Sequence, residues 1–158
     1  MMENTTQAAI RERFLRKPAP RKNLIVGDIA PDIETVEGVV ELDANIHDYL
    51  IVANISTRCS SCMDSLEALD QYTRTSNFNL IILIEIDDQE QFEQFVSYYE
   101  GRAKVFRVEF KNTLYGSNGM PWLYGMNREK QIITSRVFHM TEELEEVLSP
   151  FRPYIDRE

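Results

Sequence analysis

The stretch Tyr49-Leu50-Ile51-Val52-Ala53-Asn54-Ile55, followed after three residues by Cys59-Ser60-Ser61-Cys62, decides the fold. The first seven residues read as a buried strand, and Leu66, Leu69 and Thr73 then recur at helical spacing. The cysteine pair therefore stands at a strand-to-helix step, with Cys59 expected where the helix begins. Unpaired backbone N–H groups and the positive end of the helix dipole favour a thiolate there, and Arg58 adds a neighbouring cation. Cys62, one turn on, is expected on the same side. It can then attack a mixed disulfide formed at Cys59 without the chain moving, which is what two-cysteine exchange requires.

Two other uses of the pair are weaker. A zinc site needs more soft ligands, but His47 and His139 are not in ligand-like spacing with each other, so no metal is expected. A structural disulfide suits a small secreted scaffold short of core, whereas a chain of 158 residues with two cysteines does not need that staple.

With 43% hydrophobic residues the chain can bury one full core and is too short for two comfortable domains. Its formal charge of −9 argues against nucleic acid as a partner, since a phosphate-binding surface needs clustered Lys and Arg. The charge is uneven. Residues 1–22 carry six basic groups (Arg11, Arg13, Arg16, Lys17, Arg21, Lys22) against Glu3 and Glu12, leaving eleven basic and 24 acidic groups to the other 136 residues. A basic N-terminal arm, residues 1–24, is expected before an acidic body, residues 25–158; Ile10 and Phe14 sit one helical turn apart within it, and Pro18 and Pro20 break whatever forms. The N-terminus shows no apolar run of the length a secretory signal needs, so a cytoplasmic location is expected. The greasiest run, Leu80–Ile86, is far below the roughly 20 residues that span a bilayer, and reads as a core strand.

Around these segments the chain alternates. Two short strand-like runs flank Glu37-Gly38 between Ile33 and Leu42, suggesting a β-hairpin. Then come a strand near 49–55, a helix near 60–74, a strand near 79–86, a helix near 89–100 and a strand near 104–108. Asp88 should cap the second helix with Gln91 as its capping-box partner, and Phe92, Phe95 and Tyr99 form the apolar stripe. Such βαβ alternation implies parallel central strands covered by helices. Trp122–Met126 and Gln131–Phe138 around Asn127-Arg128-Glu129-Lys130 read as an antiparallel hairpin. Thr141 is expected to cap a last helix with Leu144, Val147 and Leu148 inward.

This order of elements, with a C-x-x-C at the first central helix and Met120-Pro121 opening the last hairpin, resembles the thioredoxin superfamily over about residues 24–150. Val26-Gly27-Asp28-Ile29-Ala30-Pro31-Asp32 is similar to the opening of the redoxin branch, which holds peroxiredoxin-like proteins and the membrane-tethered thioredoxins of cytochrome c maturation. The resemblance implies an α/β, thioredoxin-like fold: a central mixed β-sheet flanked by helices, with an N-terminal β-hairpin extension. It implies that Pro121 is a cis proline packed against the cysteine pair, which is physically admissible for an X-Pro bond. It also implies that the Met120 backbone bonds an extended substrate peptide; Arg58, beside Cys59, is a further candidate for the binding surface. Trp122 is expected to pack the site.

The chain departs from the family's pattern. Arg58 stands where thioredoxins usually have Trp, and Ser60-Ser61 where they have Gly-Pro, so no potential carries over. The buried acid of thioredoxin falls on Ala53 and its lysine partner near Ile84. The Glu of the cytochrome-maturation branch falls on Ser65, and its helix-kinking proline on Glu67. Glu85, a carboxylate inside an apolar strand, is then the candidate proton acceptor for Cys62. Peroxiredoxin chemistry is disfavoured, because the Pro and Thr that precede a peroxidatic cysteine in that branch are replaced, with Ser56 at the threonine position.

The expected function is a thiol-disulfide oxidoreductase without cofactor, acting through Cys59 and Cys62 on a disulfide- or dithiol-bearing peptide or protein client, with an electron partner and direction that the sequence does not name. A narrower likeness, to thioredoxin-like proteins encoded beside bacterial peptide bacteriocins such as the sporulation killing factor of bacilli, would make the client a bacteriocin precursor. The rival from another class is a redox-inert module whose groove binds a peptide while the cysteines only pack.

Overall fold

The computed structural model describes residues 23–155. Residues 1–22, which hold nearly all of the expected basic arm and its Ile10–Phe14 turn, lie outside the described residues.

A five-stranded sheet forms the centre, from β3 (Tyr49–Ser56), β4 (Leu80–Glu85), β5 (Lys104–Arg107), β6 (Trp122–Asn127) and β7 (Ile132–Arg136), in the order β5-β4-β3-β6-β7. The first three are parallel, as the helical crossovers require, and β6 and β7 run antiparallel to them. β3, in the middle, is buried at every one of its eight positions. That is why it reads as a continuous apolar run instead of an alternating one.

Alternation along the strands divides the interior in two. On one face Ile51, Ala53 and Ile55 of β3 and Ile82 and Ile84 of β4 pack with Leu69 and Tyr72 of α1 (Cys62–Thr75) and Leu144, Val147 and Leu148 of α3 (Thr141–Leu148). Phe92 of α2 (Gln89–Tyr98) joins the same cluster. On the other face Leu50, Val52, Ile81 and Leu83 meet Leu24, Ile33, Leu42, Tyr115 and Tyr124. This second layer contains no long helix among the described residues. It is built from the hairpin of β1 (Ile33–Thr35) and β2 (Gly38–Val40) and from two 3-10 turns, Phe110–Asn112 and Leu114–Asn118.

Hydrogen bonds fasten these irregular pieces. The hairpin tip reaches the sheet edge where Val36 N donates to Arg107 O at 2.8 Å. Residues 27–30 lie along the outer edge of β7, with Gly27 N and Ala30 N donating to Ile132 O and Lys130 O at 2.8 Å each. The buried Asn54 Nδ2 and Tyr124 hydroxyl both donate to Tyr115 O. A Cβ at Gly116 would collide with the backbone of Phe110, so the two 3-10 turns can close on each other only through glycine.

Three local expectations are corrected. The first central helix begins at Cys62, with Ser61 as N-cap, so Cys59 stands in the turn before it. Thr141 is the first residue of α3 and Met140 its N-cap. Glu143 anchors that entry instead, accepting from His139 N at 2.9 Å. The chain also continues past α3 through a 3-10 turn, Ser149–Phe151, whose Phe151 stacks on Tyr49 at 5.3 Å between ring centroids, into a short α4 (Arg152–Ile155). By contrast Asp88 caps α2 through its carboxylate, accepting from Glu90 N and Gln91 N.

Candidate active site

β3 ends at Ser56, and the chain turns through Thr57–Ser61 before α1 starts. Each step of that turn is fixed by a backbone bond: Cys59 N donates to Ser56 O at 3.2 Å and Cys62 N to Cys59 O at 3.2 Å. The turn brings the two Cα atoms to 5.3 Å, and the cysteines are joined as a disulfide. They are not equivalent. Cys62 is 1% exposed and part of the core beneath α1, whereas Cys59 is half-buried and reachable from outside.

Met120 comes to this disulfide from just before the start of β6, the antiparallel neighbour of β3. Gly119, with φ at +93°, turns the backbone in a way other residues resist, and the Met120–Pro121 peptide bond that follows is cis. The Met120 carbonyl oxygen lies 3.7 Å from Cys59 Sγ. The chain thus places Cys59, Cys62, Met120 and Pro121 together, although 61 residues separate Cys59 from Met120. Trp122, next along, is half-buried and donates from Nε1 to Ser135 Oγ at 2.7 Å. One neighbour was missed in the sequence: the Ser61 hydroxyl stands 3.4 Å from Cys59 Sγ.

Two candidates are placed elsewhere. The Arg58 guanidinium makes a forked bond to both carboxylate oxygens of Asp87, each at 2.7 Å. That hydrogen bonding raises the Arg58 pKa and lowers that of Asp87, so the cation next to Cys59 is answered by a carboxylate. Glu85 alternates with Ile84 and Ile86, which point into the cluster that contains Cys62. Its own side chain therefore goes to the opposite face, where Oε2 accepts from Phe110 N at 3.0 Å. The structure does not bring Glu85 to Cys62, and period-two alternation read along β4 would have shown as much. At the positions where relatives of this fold were expected to place an acid, Ala53 is fully buried, and Ser65 donates from Oγ to Phe138 O at 2.6 Å.

His47 sits at the start of β3 and Cys59 beyond its end, so the eight residues of β3, about 26 Å of strand, separate them. His139 neighbours Glu143, with Nδ1 3.9 Å from its carboxylate.

No family model and no curated protein sequence matches this chain. Solved structures do. A protein assigned as the thiol:disulfide interchange protein DsbE of Chlorobium tepidum superposes with a TM-score of 0.62 at 21% identity, covering 81% of this chain and 98% of that one. The fold is thioredoxin-like. The thioredoxin domain of a thiol-disulfide oxidoreductase from Bacteroides vulgatus matches with a TM-score of 0.56 at 17% identity, over 78% of this chain and 98% of its own. A thio-disulfide isomerase from Thermus thermophilus gives 0.58 at 15% identity, over 80% and 96%. On this thioredoxin-like sheet the chain carries a close Cys59–Cys62 pair, and at such identities the likeness concerns the fold alone.

Proposed function

We propose that this chain is a thiol-disulfide oxidoreductase acting on a peptide or protein that bears a disulfide or a pair of thiols. The observation that carries the reading is the asymmetry of the Cys59–Cys62 disulfide, one sulfur reachable beside the Met120 carbonyl and the other sealed in the core. In the oxidising direction a client thiolate attacks Cys59 Sγ; the client–Cys59 bond forms as the Cys59–Cys62 bond breaks, and the electron pair leaves on Cys62. A second client thiolate then attacks the client sulfur of that mixed disulfide, and the pair leaves on Cys59. The client loses two electrons and the chain gains two. Run backwards, the same steps reduce a client disulfide, with Cys59 as nucleophile and Cys62 resolving. Met120, beside Cys59, is where an extended client strand would lie; a bacteriocin precursor is one peptide of this kind.

Cysteine variants test the reading. Cys62→Ser is expected to retain clients as mixed disulfides on Cys59, and Cys59→Ser to retain none. Equal retention by both would overturn the assigned roles. Thiols that label equally before and after dithiothreitol treatment would make the chain a redox-inert binding module instead.

A further inference from the structure

Ser61 precedes α1, the place where a serine usually caps a helix by accepting from a backbone N–H two or three residues on. Here it makes no such bond, because its own backbone is already helical, with φ −72° and ψ −16°. The hydroxyl is turned instead to Cys59 Sγ, 3.4 Å away. Neither sulfur of a disulfide carries a proton, so the hydroxyl is the donor of this contact. Ser61 is half-buried, whereas its neighbour Ser60 is exposed.

We propose that Ser61 is a catalytic residue of this centre, its hydroxyl donating to the Cys59 thiolate when the disulfide opens. The proposal rests on the oxidoreductase reading above. A disulfide sulfur is a weak, neutral acceptor and a thiolate is an anion; hydrogen bonds to ionised acceptors are roughly twice as strong as neutral ones. The hydroxyl therefore stabilises the open centre more than the closed one. In the balanced step the client dithiol gives two electrons and two protons. The client closes its own disulfide, one proton goes to Cys62 and one to solvent, and Cys59 remains a thiolate held by Ser61. The same bond makes Cys59 a better leaving group when the mixed disulfide resolves.

The charged side chains on the surrounding elements do not supply this stabilisation. Arg58 is engaged by Asp87, and Glu85 is on the far face of the sheet. Asp64 and Glu67 on α1 are carboxylates, and His139 neighbours Glu143.

The test follows thiolate absorbance through a pH titration in a Cys62→Ser background, and equilibrium with glutathione in the chain that keeps both cysteines. Ser61→Ala is expected to raise the Cys59 pKa by about one unit and to shift the equilibrium toward the disulfide by up to about tenfold, or about 30 mV for a two-electron couple. Ser61→Thr, which keeps a hydroxyl, and Ser60→Ala are expected to titrate with the parent chain. Ser61→Ala titrating with the parent overturns the proposal, and so does Ser60→Ala producing an equal shift. A chain whose Cys59 shifts with Ser61 but never equilibrates with glutathione overturns the oxidoreductase reading and leaves the hydrogen bond standing.

Discussion

At the scale of single residues, the site is governed by what each charge is already bonded to. Arg58 donates from one guanidinium nitrogen to both carboxylate oxygens of Asp87, at an exposed position where water and salt screen what remains of its charge. Arg58→Ala is therefore expected to leave the Cys59 thiol pKa almost unmoved at both low and high salt, measured by the pH dependence of alkylation. A rise confined to low salt would show that the cation reaches the sulfur after all. Glu85 is occupied by Phe110 N on the face away from Cys62. Glu85→Gln keeps an oxygen for that bond, so both formation and release of the mixed disulfide should keep the parent rates in stopped-flow measurements near neutral pH. A selectively slower release step would return Glu85 to the role of proton acceptor.

At the scale of elements, α1 and α2 are pinned at their far ends by Asp70. Burial pushes the Asp70 carboxyl upward, but hydrogen bonds from Arg102, Tyr98 and Arg74 outweigh it and bring the pKa down to about 2. The Arg102 and Tyr98 bonds are 2.7 and 2.8 Å long, and the Arg102 guanidinium also lies 4.7 Å from the ring centres of Tyr98 and Tyr99. A carboxylate with a lowered native pKa adds stability that is complete above its unfolded value near 4 and is lost as pH falls through about 2. Asp70→Asn is expected to cost about 1 kcal/mol at pH 7, after discounting for solvent around the pair, and to flatten the stability profile between pH 4 and 2. Urea unfolding across that range checks it; parallel profiles for the two chains would show that the network contributes nothing. The entry to α1 is held separately, by Ser65 Oγ on Phe138 O, which ties the helix below the disulfide to the loop before α3.

At the scale of the whole molecule, the site depends on β3 and β6 bringing Ser56 and Pro121 to the same end of the sheet. Gly125 of β6, paired with Ile51 of β3, leaves no room for a side chain, since a Cβ there would meet the Phe151 ring and Thr134 Oγ1. Gly125→Ala is expected to destabilise the chain by about 1–3 kcal/mol through overpacking, read as a lower denaturation midpoint with an unchanged slope. An unchanged midpoint would mean that the C-terminal turn gives way freely.

What the sequence by itself determined was whatever a local period or a short spacing encodes. The apolar run of β3, the capping Asp88, the inward Leu144, Val147 and Leu148, and the Cys59–Cys62 step all follow from neighbours within a turn or two, and with them came the order of elements and the two cysteines of the site. The tertiary structure decided what lies opposite what. The 3-10 layer over the second face has no period to announce it, because its bonds run from Tyr115 and Asn118 to residues far along the chain. Glu85 looked buried in one dimension, but a strand sends alternate side chains to opposite faces, so its apolar neighbours belong to a core it does not enter. Ser61 reads in the sequence only as one of the two residues between the cysteines; the structure sets it at the N-cap with a backbone already helical, where its hydroxyl makes no cap bond and turns to the sulfur.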